Sequence, residues 1–294
     1  MALTDKLTAI GDAIRSKTGG SDLLTLDEMP QEIQSIQTGG GGTSDTSLAD
    51  SIIDGTITSY SSDSLTEVVE YGLSHLPDLV EASLSNVETI DNYAISNDEK
   101  LSSLSIPKVK SIGNNAISYV DIESFDCPEL EYIGDYALRY CDSLTTLNIP
   151  NVETIGTSPI AAGGSNSICY CSSLESIVLK KVEMVCGGIG YNCPNLKSAD
   201  LYLATSVGAI FRSSPNFETL IIRTQDVVCS AAAGSLLQGT KIASGTGYIY
   251  VPSALLEQYK VATNWAKYAN QFRAIEDYPE ICGDTAADTN GEVP

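Results

Sequence analysis

LEYIGDYALRYCDSLTTLNIP, residues 130 to 150, shares its plan with two stretches before it: VETIDNYAISNDEKLSSLSIP, residues 87 to 107, and VKSIGNNAISYVDIESFDCP, residues 109 to 128. Outward from these copies, an apolar residue in the context V-x-x-I recurs at Val68, Ile90, Ile112, Ile133, Ile155, Val185 and Val207, in steps of 22, 22, 21, 22, 30 and 22. A second column runs through Leu79, Leu101, Ile122, Leu144, Leu174, Leu196 and Phe217 with steps of 22, 21, 22, 30, 22 and 21. Two columns with one period and one shared insertion define a repeat array of about seven copies.

Within a copy, LxxLxIP alternates toward its end, so Leu104 with Ile106, and Leu147 with Ile149, fall on one side of a short strand. Prolines 107, 128 and 150 then stop it. A strand this short cannot bury its apolar side alone, so the copies must stack into a parallel ladder with a continuous core and open ends. The expected fold is therefore a leucine-rich-repeat solenoid: short parallel strands with irregular turn connections, in the α/β class. The single 30-residue step holds eight extra residues around SPIAAGGSNSIC, residues 158 to 169, and insertions in solenoids emerge as loops on one face.

The copies resemble the BspA-like family of leucine-rich repeats, whose pattern is roughly I-G-x-x-A-F-x-x-C-x-x-L-x-x-I-x-I-P, over residues 65 to 225. The resemblance assigns an Ala column to Ala94, Ala116 and Ala137, at a tight turn, and a Cys column to Cys141, Cys171 and Cys193, each three residues before the column leucine. That placement favours stacked buried thiols over redox chemistry. Two departures stand out: Leu or Ile replaces Phe after the Ala, and the last two copies lose the Ala turn.

Residues 1–37 read as a small helical module, with Leu3, Leu7, Ile10 and Ile14 on one face, a KTGGS break, and LTLDEMPQEIQSI. Its IGDAIRSKTG and MPQEIQSI stretches resemble the N-terminal modules of bacteriophage and prophage tail-associated proteins, which implies anchoring to a larger assembly. TGGGGTSDTS opens a linker over residues 38–47. The solenoid is expected over residues 48–247 and a strand, YIYVP, with a capping helix N-capped by Ser253 over residues 248–276. Residues 277–294 read as a loose acidic tail.

Sixteen Lys and Arg against 38 Asp and Glu give 16 − 38 = −22, which repels nucleic acid and anionic membrane surfaces. No stretch approaches a membrane span and the start has no hydrophobic signal core, so neither membrane insertion nor a Sec signal is expected. The expected setting is a virion tail or an extracellular surface. The single histidine, His75, lies in the irregular stretch YGLSHLPDL, and the only close cysteine pair is Cys169-x-Cys171. No catalytic residues, metal site or cofactor are expected.

The surface instead reads as built for contact. The strands turn two columns outward: Glu81, Ser103, Ser124, Thr146, Ser176, Ser198 and Thr219, then Ser83, Ser105, Asp126, Asn148, Val178, Asp200 and Ile221. Stacked hydroxyls give a smooth hydrogen-bonding face that either docks a ligand or is merely solvated. Fifteen tyrosines against four phenylalanines is a second signal, with Tyr93, Tyr119, Tyr136, Tyr140, Tyr170 and Tyr191 all in the turns opposite the strands. Tyr beside Ser, Gly and Asn is a paratope vocabulary, although tyrosines stacked at a core edge read the same way. The candidate binding residues are thus Ser103, Ser124, Thr146, Ser176, Ser198, Tyr93, Tyr136, Tyr140 and Tyr170. The expected function is non-enzymatic adhesion: a phage or prophage tail-associated protein that meets a host-cell glycan or protein, or alternatively a bacterial surface protein. A homo-oligomer is compatible with either.

Overall fold

The computed structural model describes residues 56–156, 166–185, 188–232 and 236–283. The helical module expected over 1–37, the linker 38–47, most of the insertion 158–169 and the end of the tail from 284 lie outside the described residues.

The chain forms a parallel-strand solenoid of about nine turns, matching a leucine-rich-repeat coil. Every strand pair among the described residues is parallel, because each turn brings the chain back in the same direction one rung on. One side carries the longer strands in three stretches: Ser59–Ser62, Glu81–Leu84 and Ser103–Ser105; Ser124–Asp126 with Thr146–Asn148; then Ser176–Leu179 through Ser198–Leu201, Thr219–Ile222 and Tyr248–Val251 to Phe272–Ala274. A second side carries two-residue strands at the V-x-x-I column, from Glu67–Val68 to Thr154–Ile155 and from Met184–Val185 to Ser230–Ala231. A third side is mostly turn, with one strand pair among the described residues, Leu138–Arg139 and Ile168–Cys169. The array thus starts before and ends after the seven copies visible in the sequence, because the outer turns keep the ladder but lose the motif.

Both apolar columns point inward. Leu79, Leu101, Ile122, Leu144, Leu174, Leu196 and Phe217 are wholly buried, as are Ile90, Ile112 and Ile133. The alanine column is equally closed, Ala94, Ala116 and Ala137 all being fully buried. Close stacking explains the neighbouring glycines. A Cβ on Gly134 would come within 2.6 Å of the Gly113 carbonyl carbon, and one on Gly113 within 2.6 Å of the Asn92 nitrogen. Asparagines knit the same corner: Asn92 Oδ1 accepts from the Asn114 N–H at 2.6 Å, and Asn114 Oδ1 from the Asp135 N–H at 2.7 Å. Where the Ala turn is lost, Gly190 makes room instead. A Cβ there would meet the Phe211 ring at 2.5 Å, and Phe211 stacks on Phe217 with centroids 4.3 Å apart.

The cysteine column is interior. Cys141, Cys171 and Cys193 are buried and free, and thiols donate to carbonyls of the preceding turn, Cys141 Sγ to Ile117 O at 3.4 Å and Cys171 Sγ to Leu138 O at 3.5 Å. At the same place in neighbouring turns, polar side chains hold main-chain groups. Asp98 Oδ1 accepts from the Leu76 N–H at 2.6 Å, and Ser214 Oγ accepts from the Cys193 N–H at 3.0 Å while donating to Gly190 O at 2.7 Å.

The C-terminal end departs from expectation. In place of one helix from 254, a 3-10 turn at Ser253–Leu255 leads into α1, Leu256–Val261, which ends as Ala262 turns extended. Asn264 then adopts a left-handed φ of 67° before a second 3-10 stretch, Ala266–Gln271, and a final strand. Ser253 makes no side-chain cap; its N–H donates to Glu276 Oε2 at 3.0 Å. The break lets two aromatic side chains serve the backbone of the last turns: the Cys229 N–H donates to the Tyr259 hydroxyl at 2.8 Å, and Trp265 Nε1 donates to Cys229 O at 2.6 Å. The C-terminal segment thereby packs on the last turns, and the main-chain N–H and C=O of Cys229 are satisfied. Residues past 277 also differ from a loose tail as far as 283. Pro279–Cys282 forms a helical turn, α2, and Cys282 is buried with Ile275, Ile221 and Tyr250. Ile221, read as outward-facing, is therefore covered by this returning segment.

Candidate binding surface

The longer-strand side sets the outward residues in register. Glu81 pairs with Ser103, Ser124 with Thr146, and Ser176 with Ser198, which pairs on with Thr219. Ser103, Ser124, Thr146 and Ser176 are exposed, while Ser198 is half-buried. The second column runs exposed through Ser105, Asp126, Asn148 and Val178, with Asn148 Nδ2 donating to Asp126 Oδ1 at 2.7 Å. The five predicted strand residues thus do lie along one face, which ends where the C-terminal segment covers Ile221 and Tyr250.

Apart from Tyr191, the predicted turn tyrosines fall in two columns, set by the backbone. Each corner of the third side uses left-handed residues: Tyr71, Tyr93, Asn115 and Tyr136 form one column, and His75, Asn97, Tyr119, Tyr140, Tyr170, Asn192 and Ser213 the other, with φ between 52° and 62°. Such a φ costs a non-glycine residue about 1–2 kcal/mol, and aromatic stacking returns about 0.5–1.5 kcal/mol per pair. In the second column Tyr119 stacks on Tyr140 at 4.7 Å and Tyr140 on Tyr170 at 4.6 Å, while Tyr191 meets Tyr170 edge-on at 5.3 Å. Tyr93 belongs elsewhere, stacked on Tyr71 at 5.4 Å and 38% exposed.

The residue that sequence reasoning missed is Arg139. Its guanidinium lies 4.8 Å from the Tyr140 ring centroid, 5.4 Å from Tyr136, 5.6 Å from Tyr170 and 5.7 Å from Tyr119. Arg212 repeats the arrangement over Tyr191 at 5.8 Å. Of the predicted tyrosines, the structure gathers Tyr136, Tyr140 and Tyr170 around Arg139, whose signal in the sequence was its place immediately before a column tyrosine in ALRY. Burial, then a hydrogen bond with Tyr191, pushes the Tyr170 phenol up to about 12, so it remains a hydrogen-bond donor at neutral pH. His75, the one histidine, is a corner residue with Nδ1 3.2 Å from Ser74 Oγ. Among the described residues there is no group of His, Cys, Asp and Glu fit to hold a metal ion, and no helix long and apolar enough to cross a membrane.

Comparison with known proteins bears on the array. The family model described as a BspA type leucine rich repeat region matches in six copies, over residues 66–177 and 90–218. No curated protein matches the chain. Among solved structures, a leucine-rich repeat protein from Bacteroides ovatus is 18% identical with a TM-score of 0.42, covering 66% of this chain and 55% of its own. The chain therefore spans about half the length of that protein. The pneumococcal vaccine antigen PcpA is 13% identical with a TM-score of 0.31, covering 74% of this chain and 89% of its own.

Proposed function

Since the chain belongs to the family of BspA type leucine rich repeat regions, we propose that it is a non-enzymatic adhesion protein whose solenoid surface attaches to a glycan or protein on a cell. The observation that carries this reading is the pair of ordered surfaces the coil builds, an exposed hydroxyl face through Ser103, Ser124, Thr146 and Ser176 and a stacked tyrosine strip through Tyr119, Tyr140 and Tyr170. Repetition of one side chain along a rigid ladder gives contact area that needs little ordering on binding.

In the setting we propose, residues 1–37 anchor the chain to a phage or prophage tail and the solenoid meets the host. The sequence likeness of IGDAIRSKTG and MPQEIQSI to tail-associated modules supports it. A bacterial surface protein without a virion is the second reading, favoured by the family match itself.

The test is retention of the purified chain on bacterial envelope extract, untreated, periodate-oxidised or protease-digested. Saturable retention lost after one treatment is expected and separates glycan from protein receptors. Equal retention on envelope and on an albumin surface would contradict adhesion.

A further inference from the structure

In a chain with a formal charge of −22, most cations near acidic groups pair across turns. Lys100 reaches Asp78 at 2.6 Å, Lys110 reaches Glu88 at 3.0 Å, and Arg223 grips Asp200 through Nε at 2.8 Å and Nη2 at 2.7 Å. Arg139 and Arg212 do not follow this pattern. Among the described residues neither has a carboxylate within ion-pair distance, and each buries an Nε atom without a hydrogen-bond partner. What surrounds them is phenol. Four tyrosine rings lie within 6 Å of the Arg139 guanidinium, and Tyr191 lies beneath that of Arg212. Residues 157–165, TSPIAAGGS, which lie outside the described residues, contain no Asp or Glu.

The geometry of the strip limits what fits it. Stacking occupies the facing sides of Tyr119, Tyr140 and Tyr170, half-buried rings that form a comb repeated every 4.6 to 4.7 Å. A comb of phenols offers hydrogen bonds to a dense array of hydroxyls, and a guanidinium fork beside it offers a two-point grip on a carboxylate. Arg139 and Arg212 bracket Tyr140, Tyr170 and Tyr191 and sit three rungs apart along the coil, roughly 14 Å at the usual strand spacing. A densely charged polyanion would be repelled by the rest of the surface. A ligand with isolated carboxylates on a neutral hydroxylated frame would not.

We propose that the strip Tyr119, Arg139, Tyr140, Tyr170, Tyr191 and Arg212 is a subsite for an oligosaccharide carrying a carboxylate. The proposal rests on the adhesion reading and names its ligand class. The carboxylate comes from a sialic acid or from a uronic acid, and the two sources are separable.

The experiment is calorimetric titration of the full chain with sialyllactose, with cellobiouronic acid, with lactose and with hexaglutamate. The acidic sugar that is the source should bind, with lactose at least about tenfold weaker, as expected for loss of a bidentate charge-assisted pair. Arg139→Gln should weaken that binding about tenfold, and Tyr140→Phe, which keeps the ring and removes only the hydroxyl, about threefold, with melting temperatures unchanged. Lys267→Gln, on the C-terminal cap, should bind as the parent does. Should neither acidic sugar bind, should lactose or hexaglutamate bind as tightly as the better of them, or should both strip variants bind like the parent, the subsite is overturned. Envelope retention that persists in such a case would leave the adhesion reading standing on another face.

Discussion

A thiol buried in a coil of this kind behaves as a small apolar side chain. Burial pushes Cys169 and Cys229 up to about 12, and Cys171 and Cys193 are raised chiefly by hydrogen bonding within the thiol column. Unfolded thiols ionise near 8.5. The fold therefore holds protons that the unfolded chain releases, so this part of the stability is complete below about pH 8.5 and is lost as pH rises toward the folded values. Melting temperature should fall steadily between pH 8.5 and 10.5, and less so in Cys229→Ala. Cys141, Cys171 and Cys193 should react slowly with a thiol reagent in the native protein and fully in denaturant; stoichiometric zinc or a disulfide between any two would contradict the column. The tyrosine corner gives a second residue-level test. Asn97 and Asn192 occupy the same left-handed column as Tyr140, and Asn tolerates that conformation. Tyr140→Asn should therefore keep the melting temperature within a few degrees while removing the ring from the strip, whereas Tyr140→Val, with a β-branched residue at positive φ, should lower it clearly.

At the scale of the element, the strand is stable only through its neighbours. Leu144→Asp places a charge in a fully buried column and should cost several kcal/mol, unfolding adjoining turns together. The same change at the exposed Thr146, two residues on, should be nearly silent. Circular-dichroism melts of the two variants check this, and equal midpoints would mean the faces are assigned the wrong way round. Gly134→Ala should also destabilise, since its methyl would collide with the backbone of the turn below. Strand faces were legible because their alternation is local and their period is repeated. The cap was not, because Leu255, Tyr259, Ala262 and Ala266 follow helical spacing while the helix ends at Ala262, which turns extended. A pattern of apolar residues does not record that Tyr259 and Trp265 are needed as hydrogen-bond partners for the backbone at Cys229.

For the whole molecule, the repeat placed both candidate surfaces, but each for a different reason. The hydroxyl face follows directly from strand alternation. The tyrosine strip depends on which turns stack across the 30-residue step, where Ile168 and Cys169 pair with Leu138 and Arg139, so Tyr140 meets Tyr170 although 30 residues separate them. The one sequence signal of Arg139, its place before a column tyrosine, acquires meaning only when four rings surround it. The Gly-rich segment TGGGGTSDTS separates residues 1–37 from the array, and we expect an anchor on one side of it and receptor binding on the other. The most direct measurement is envelope retention of the full chain beside two fragments, residues 1–42 and residues 43–294, each multimerised on the same scaffold so that avidity is equal. The account predicts that the solenoid fragment matches the full chain and the short fragment binds nothing. Retention carried by residues 1–42, with none on the multimerised solenoid, would make the repeats a spacer and contradict it.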